Sequence, residues 1–286
     1  MADLMTGPTD ADFALMTDAV RGAAAIARQH FRADVASWDK APGDPVSVVD
    51  LEINRYLHDR LAGPRDGYGW LSEESEDAPA RLSCRRVWVV DPIDGTRAFL
   101  RGTPDFAISV ALVEDGRPVM GAIHSPVDDD LFAARLGAGA TVNGQPIRVS
   151  GRTDLSGARM LGEASFFRSK KYWPVAWPRM DHATVNSIAL RLALVAAGRR
   201  DAIVTLRAKS DWDVAAGDII VTEAGGTCTD EDGRPLTYNT ATPEHRNVIA
   251  ATPALIAPIL DRVRPALARW RARQAEQAKG ADTAQK

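Results

Sequence analysis

The sequence predicts a layered α/β protein: two amphipathic helices, a largely antiparallel sheet, then a second half in which strands and helices alternate. Three observations carry that prediction. Apolar residues recur at helical spacing in two segments before residue 62. Two alternating apolar runs flank Asp115-Gly116, a pair that favours the backbone of a tight hairpin turn. From Met160 onward, short apolar runs are separated by helical periodicity and by Gly or Pro breaks.

A chain of 286 residues can bury a large core as one big domain or two halves. The change of character places an α+β half at 1–152, an α/β half at 153–273 and a polar tail, expected to fray, at 274–286. A formal net charge of −3 provides no global basic field, so a nucleic-acid polymer is not an expected partner. Cys84 and Cys228 are the only cysteines, and no charged-then-apolar leader opens the chain, which argues against a disulfide framework. No stretch approaches the length of a membrane span. A soluble cytoplasmic protein is the expectation.

The first helix is expected from Asp10 to Phe31, with Phe13, Met16, Val20, Ala24 and Ile26 on its apolar face and Asp10 placed to cap it. Lys40 to Ser47 reads as a Pro/Gly/Asp loop. A second helix follows over Leu51 to Leu61, with Asp50 at its entrance, where an Asp ordinarily caps. Tyr68 to Leu71 is an apolar strand that runs into Glu73-Glu74. Adjacent acids repel, so a pair of them is buried only beside a compensating charge or cation. Arg81 to Arg86 reads as an exposed connector. The hairpin Phe106–Glu114 and Pro118–His124 is continued by runs at 130–135 and 140–149, with His124 a structural residue. In the second half, strands are expected at 160–164, 201–206 and 248–251, and helices at 186–197, across 210–224 and at 253–273. Ala215, Ala216 and Gly217 would let the second of these helices pack closely on a sheet, and Gly225-Gly226 would stop it. Asp230-Glu231-Asp232-Gly233 is too short for a calcium loop and reads as a turn.

The stretch around which the rest is arranged is Trp88-Val89-Val90-Asp91-Pro92-Ile93-Asp94-Gly95-Thr96. A β-branched run ends abruptly in one carboxylate, and a second follows within a Gly-containing turn. Two carboxylates delivered from a strand end form a hard, all-oxygen cation site. The backbone N–H groups of the helix that follows would accept an anion beside it. Glu73-Glu74 and Trp212-Asp213 lie far away in sequence, and each places acids at the end of a strand or the start of a helix.

Together, Glu73-Glu74, Asp91-Pro-Ile-Asp-Gly-Thr96 and Trp212-Asp213 leading into Ala-Ala-Gly and Glu-Ala-Gly-Gly resemble the inositol monophosphatase family. Its superfamily includes fructose bisphosphatases, histidinol phosphatases and 3′(2′),5′-bisphosphate nucleotidases. The resemblance implies a layered αβαβα sandwich and Mg²⁺-dependent hydrolysis of a small phosphate monoester. It implies that Glu73, Asp91, Asp94, Asp213 and the carbonyl of Ile93 hold two or three Mg²⁺ ions. It also implies that Asp50 and Thr96, with Glu73, orient and deprotonate the attacking water. Gly95 and Thr96 would present backbone N–H groups to the phosphate, and Glu74 would act behind the primary ligands or at a third ion. Families of this kind are often homodimers, although no interface is legible in the sequence.

The substrate class follows less directly. Inositol enzymes place Thr or Phe and then Asn after Asp-Gly-Thr; this chain has Arg97-Ala98. Their inositol-binding Glu falls, counting back from Asp213, at Leu206, which cannot accept hydroxyl hydrogen bonds. The basic Arg97 resembles the bisphosphate nucleotidases. The expectation is therefore a 3′(2′),5′-bisphosphate nucleotide, with Arg97 or Lys209 on the second phosphate and Asn186 and Ser187 along the sugar. Trp173 and Trp177 are candidates for stacking on the base. The alternatives are an inositol-1-monophosphatase, a broad sugar or histidinol phosphatase, and a non-catalytic phosphate- or metal-binding regulator.

Overall fold

The computed structural model describes residues 9–63 and 67–284. Along the chain run α1 (Asp10–His30), β1 (Ser37–Ala41), β2 (Asp44–Ser47), α2 (Val48–Leu61), β3 (Gly69–Ser72), β4 (Arg86–Asp94) and α3 (Thr96–Leu100). An antiparallel meander follows: β5 (Ala107–Glu114), β6 (Arg117–Ser125), β7 (Asp130–Arg135), β8 (Gly139–Val142) and β9 (Gln145–Ile147). The second half holds β10 (Arg159–Leu161), α4 (Ala164–Arg168), β11 (Asp181–Ala183), α5 (Ile188–Ala196), β12 (Ala202–Thr205), β13 (Lys209–Ser210) and α6 (Asp211–Glu223). It closes with β14 (Thr227–Thr229), β15 (Glu244–His245), β16 (Val248–Ala251) and α7 (Pro253–Ala284).

Strands β3 to β9 form one seven-stranded sheet in sequence order, antiparallel except for the parallel β3–β4 pair. A five-stranded mixed sheet has the order β11-β10-β12-β16-β14. Period-2 alternation explains how these sheets stack. Trp88 and Val90 of β4 pack with Ile53 and Leu57 of α2 and Met16 and Val20 of α1. Val87 and Val89 point the other way, into a core shared with α5, α6, Ile203 and Val248. Ala202, Val204, Ile249 and Ala251 then face α7. The result is five layers, helices–sheet–helices–sheet–helix. The central helix layer fits because its contacts are small: a Cβ on Gly217 would come within 2.4 Å of Leu192, and one on Gly121 within 2.7 Å of the Ala216 carbonyl.

Local chemistry decides several ends. Asp115 and Gly116 both have positive φ, the geometry of the expected hairpin turn. Caps differ from the sequence expectation. Thr9, not Asp10, caps α1 and closes a box with Asp12. Ser47 caps α2, so Asp50 stands inside the first turn rather than ahead of it. The 40–47 loop is instead the β1–β2 hairpin, paired through Trp38 and Val46. Arg81 and Arg86 are buried rather than exposed. Arg81 spreads its donors over both Asp77 oxygens and Asn239, while Arg86 binds Glu114 and Tyr68. A guanidinium can be buried when its fork of donors is matched in this way. The helix expected to end at Arg273 runs on to Ala284, through Ala, Gln, Glu and Lys, all strong helix formers. Residues 285–286 of the expected tail, and the first eight residues, lie outside the described ones. Cys84 and Cys228 are both free, and no described helix is long and apolar enough to cross a membrane.

Candidate active site

Strand β4 is buried along its whole length and carries both acids of the central motif to one end of the large sheet. Its pairing with β5 slips between Asp91 and Asp94, which re-aims the second acid. The chain then turns at Gly95, whose φ of +98° is left-handed and where a Cβ would lie 2.9 Å from the Asp105 carbonyl. From the opposite direction, α6 delivers Asp213 in its first turn, its Oδ2 accepting the Ser210 N–H at 2.8 Å. Carboxylate oxygens of Asp91, Asp94 and Asp213 lie within 4.8 Å of one another.

Three acids so close are unfavourable without positive charge. Burial, then the charges of Glu73, Asp94 and Asp213, push Asp91 well above the ordinary carboxyl range. Burial pushes Asp213 up to about 7, with the charge of Asp94 adding to it. Burial likewise raises Asp94 to about 6, against hydrogen bonds from Ser187 Oγ and the Ala189 N–H, both 2.6 Å. Asp91 is the decisive residue. It is 1% exposed and neither of its oxygens has a hydrogen-bond partner among the described residues. A buried carboxylate without donors is costly, and a divalent cation is the species that satisfies several at once. The donor set, all carboxylate oxygen, fits a hard ion such as Mg²⁺.

Around this cluster stand the other residues singled out in the sequence. Asp50 is buried at the start of α2. One oxygen accepts from the Ser47 N–H and hydroxyl, and the other lies 3.0 Å from Thr96 Oγ1. Thr96 Oγ1 is also 3.1 Å from the Ile93 carbonyl, so its single proton is shared between two acceptors. Glu73 sits outside the tight trio, although its charge acts on Asp91, Asp94 and Asp213. Its Oε1 accepts from Lys40 Nζ at 2.9 Å, and Glu74 accepts from the same ammonium at 2.7 Å. Burial raises Glu74 to about 7 despite that hydrogen bond. Burial works against the Lys40 ammonium, but its bonds to Glu74 and Glu73 outweigh it and raise its pKa. Lys209 is near enough for its charge to lower both Asp94 and Asp213.

Some expected substrate contacts are not where the sequence reading put them. Ser187 does not line an open pocket; it is fully buried, caps α5 and donates to Asp94. The cause is its N-cap geometry, which fixes the hydroxyl at the helix start. Trp173 and Trp177 do not face the cluster. They pack edge to face on each other, with Trp177 edge to face and Trp173 parallel on Phe167, against α7, because an aromatic run beside a long amphipathic helix is worth more as core. Arg97 is exposed, its guanidinium 3.3 Å from where a Cβ on Gly43 would lie in the β1–β2 hairpin. Asn186 is exposed. Lys40 was missed altogether; the one signal was that Glu73-Glu74 needed a compensating charge.

Comparisons with known proteins agree with this geometry. Residues 10–268 match the inositol monophosphatase family. The chain is 37% identical over 207 residues to an inositol-1-monophosphatase of Rhizobium meliloti (strain 1021), covering 69% of this chain and 77% of that protein. It is 32% identical over 244 residues to the Nus factor SuhB of Pasteurella multocida (strain Pm70), covering 82% and 88%. The solved structure of a Thermotoga maritima IMPase superposes with a TM-score of 0.75 at 31% identity, covering 89% of this chain and 97% of that one. The chain belongs to the inositol monophosphatase family and is a phosphatase acting on phosphate monoesters.

Proposed function

We propose that the protein releases phosphate from a monoester by direct attack of water, with two or three Mg²⁺ held by Glu73, Asp91, Asp94, Asp213 and the Ile93 carbonyl. The observation that carries this reading is Asp91, buried with both oxygens unpartnered at the focus of two other acids. When bound, Mg²⁺ would neutralise these carboxylates and the phosphate and acidify the attacking water. The protein's own part is to place and move the proton. Thr96 Oγ1 already faces Asp50, so a water donating to Thr96 has a path for its proton to the Asp50 carboxylate. Burial raises the pKa of Asp50, against the Ser47 and Thr96 hydrogen bonds, which strengthens it as a base. Glu73 would orient the same water. Gly95 and Thr96, at the start of α3, would present their backbone N–H groups to the phosphate. Lys209 adds positive charge where an anionic substrate must enter.

For the substrate, Leu206 supports a 3′(2′),5′-bisphosphate nucleotide, since it removes the acceptor that a polyol would use. The second reading, inositol 1-phosphate, is favoured by the names of relatives at 37% and 38% identity. Inorganic phosphate release from adenosine 3′,5′-bisphosphate, inositol 1-phosphate, histidinol phosphate and fructose bisphosphate at equal Mg²⁺ separates the two. The nucleotide should give the highest kcat/KM. A preference for inositol 1-phosphate would overturn the substrate ranking alone, and tight binding without any release would point to a regulator.

A further inference from the structure

We propose that the cavity beside the metal cluster is a second anion subsite, which takes the distal phosphate of a doubly phosphorylated substrate and sets specificity for it. This rests on the phosphatase reading and deepens it. The cavity has a volume of about 970 Å³, the size of a small-ligand pocket. Its rim includes Leu206-Arg207-Ala208, which runs on into Lys209-Ser210, and the Ser210 N–H donates to Asp213 Oδ2 at 2.8 Å. A short stretch of backbone, hydrogen-bonded to Asp213, thus joins the cavity rim to the acidic trio.

Its charge is one-sided. Lys171, Arg207, Arg246, Arg269 and Arg273 line it, and none of the five has a carboxylate partner among the described residues. Arg271 does, on Glu231, and Glu163 is the only acid of the lining among the described residues. In a chain of net charge −3, five unpaired cations around one cavity concentrate positive potential there. Leu206 and Phe166 provide apolar wall, and the exposed Tyr172 and Trp270 offer flat faces. An occupant with a second phosphate and an apolar or planar spacer matches that lining; a neutral polyol does not. Arg269, Trp270 and Arg273 lie on α7 beyond residue 268, where the family match ends.

The test compares adenosine 3′,5′-bisphosphate with adenosine 3′-monophosphate, which differ by one phosphate, in the native protein and in Arg246→Glu and Arg269→Glu. The native protein should show a KM at least tenfold lower for the bisphosphate. Each charge reversal should raise that KM by roughly tenfold more than it raises the monophosphate KM, with kcat for the bisphosphate within about twofold. Both side chains are exposed, so circular dichroism should confirm an intact fold. Equal KM values for the two nucleotides in the native protein, or equal shifts in the variants, would overturn the subsite while leaving the phosphatase reading standing. No Mg²⁺-dependent release from either nucleotide or from the other phosphate esters would overturn the phosphatase reading, and the subsite with it.

Discussion

Asp91 and Asp201 are both 1% exposed carboxylates at the ends of sheet strands, and the protein treats them in opposite ways. Asp201 receives the Arg159 N–H at 2.7 Å, Arg159 Nη2 at 2.6 Å and Nε at 3.2 Å. Burial raises its pKa, but those hydrogen bonds outweigh it and leave it below the ordinary range. Asp91 has no donor among the described residues and four acids acting on it, Glu73, Asp94, Asp213 and Asp50, and burial with their charges pushes it up. A buried acid that serves the fold is matched inside the fold. One left unmatched, beside others like it, is matched by something that binds.

The sharpest way to break this contrast is to neutralise each acid. Asp91→Asn should lower phosphate release by about a thousandfold, the scale of losing several kcal/mol of charge stabilisation. In EDTA the same variant should melt a few degrees higher than the native protein, because a repelling buried charge is gone. A lower melting temperature in EDTA would mean that Asp91 is structural. Asp201→Ala should do the reverse, costing about 2 kcal/mol in urea denaturation while leaving kcat of the folded protein near its native value.

A smaller effect sharpens the contrast within the site. Asp94 is intermediate: it belongs to the trio yet has two donors, Ser187 Oγ and the Ala189 N–H. Ser187→Ala should cut kcat by about tenfold and raise the Mg²⁺ concentration for half-maximal rate, as loss of a ligand's orienting bond does. Retention of both values would show that the backbone bond alone positions Asp94.

Much of this was legible in the chain because the chemistry is local. The period-2 run ending in Asp91, the Asp115-Gly116 turn and the small residues of α6 each state their geometry within a few residues. Two caps differ from the sequence expectation because Thr9 and Ser47 precede acids that also cap well, and only the observed hydrogen bonds show that Asp12 and Asp50 reach back from the third position. What sequence could not show was partnership across distance. Lys40 reaches Glu73 and Glu74 from 33 and 34 residues away, and Arg81 reaches Asn239 across 158. Ser187 was assigned to the pocket because a Ser hydroxyl carries no mark of whether it will be buried. The aromatic run at Phe166–Trp177 is ambiguous for the same reason, since stacking on a ligand and stacking in a core need the same rings.

The smallest effect concerns a third way to bury a titratable group, which is to give up its charge. His124 is 3% exposed, and burial, opposed by Asp129, holds its pKa below the ordinary value of 6.5. The folded state therefore binds fewer protons than the unfolded state just below pH 6.5. Stability from this residue is complete above that pH and is lost as pH falls toward the depressed folded value. Chemical denaturation of His124→Asn between pH 7 and pH 5 should show a flatter profile than the native protein, by under about 1 kcal/mol. An identical slope would remove His124 from the comparison.

The central claim is that Asp91, Asp94 and Asp213 hold a divalent ion, and anomalous diffraction from crystals soaked in Mn²⁺ as a Mg²⁺ surrogate tests it most directly. The account predicts a strong peak between these three carboxylates, bonded to at least one oxygen of Asp91 and absent in Asp91→Asn crystals. No peak there, in a protein that still releases phosphate under the same Mn²⁺, would contradict it.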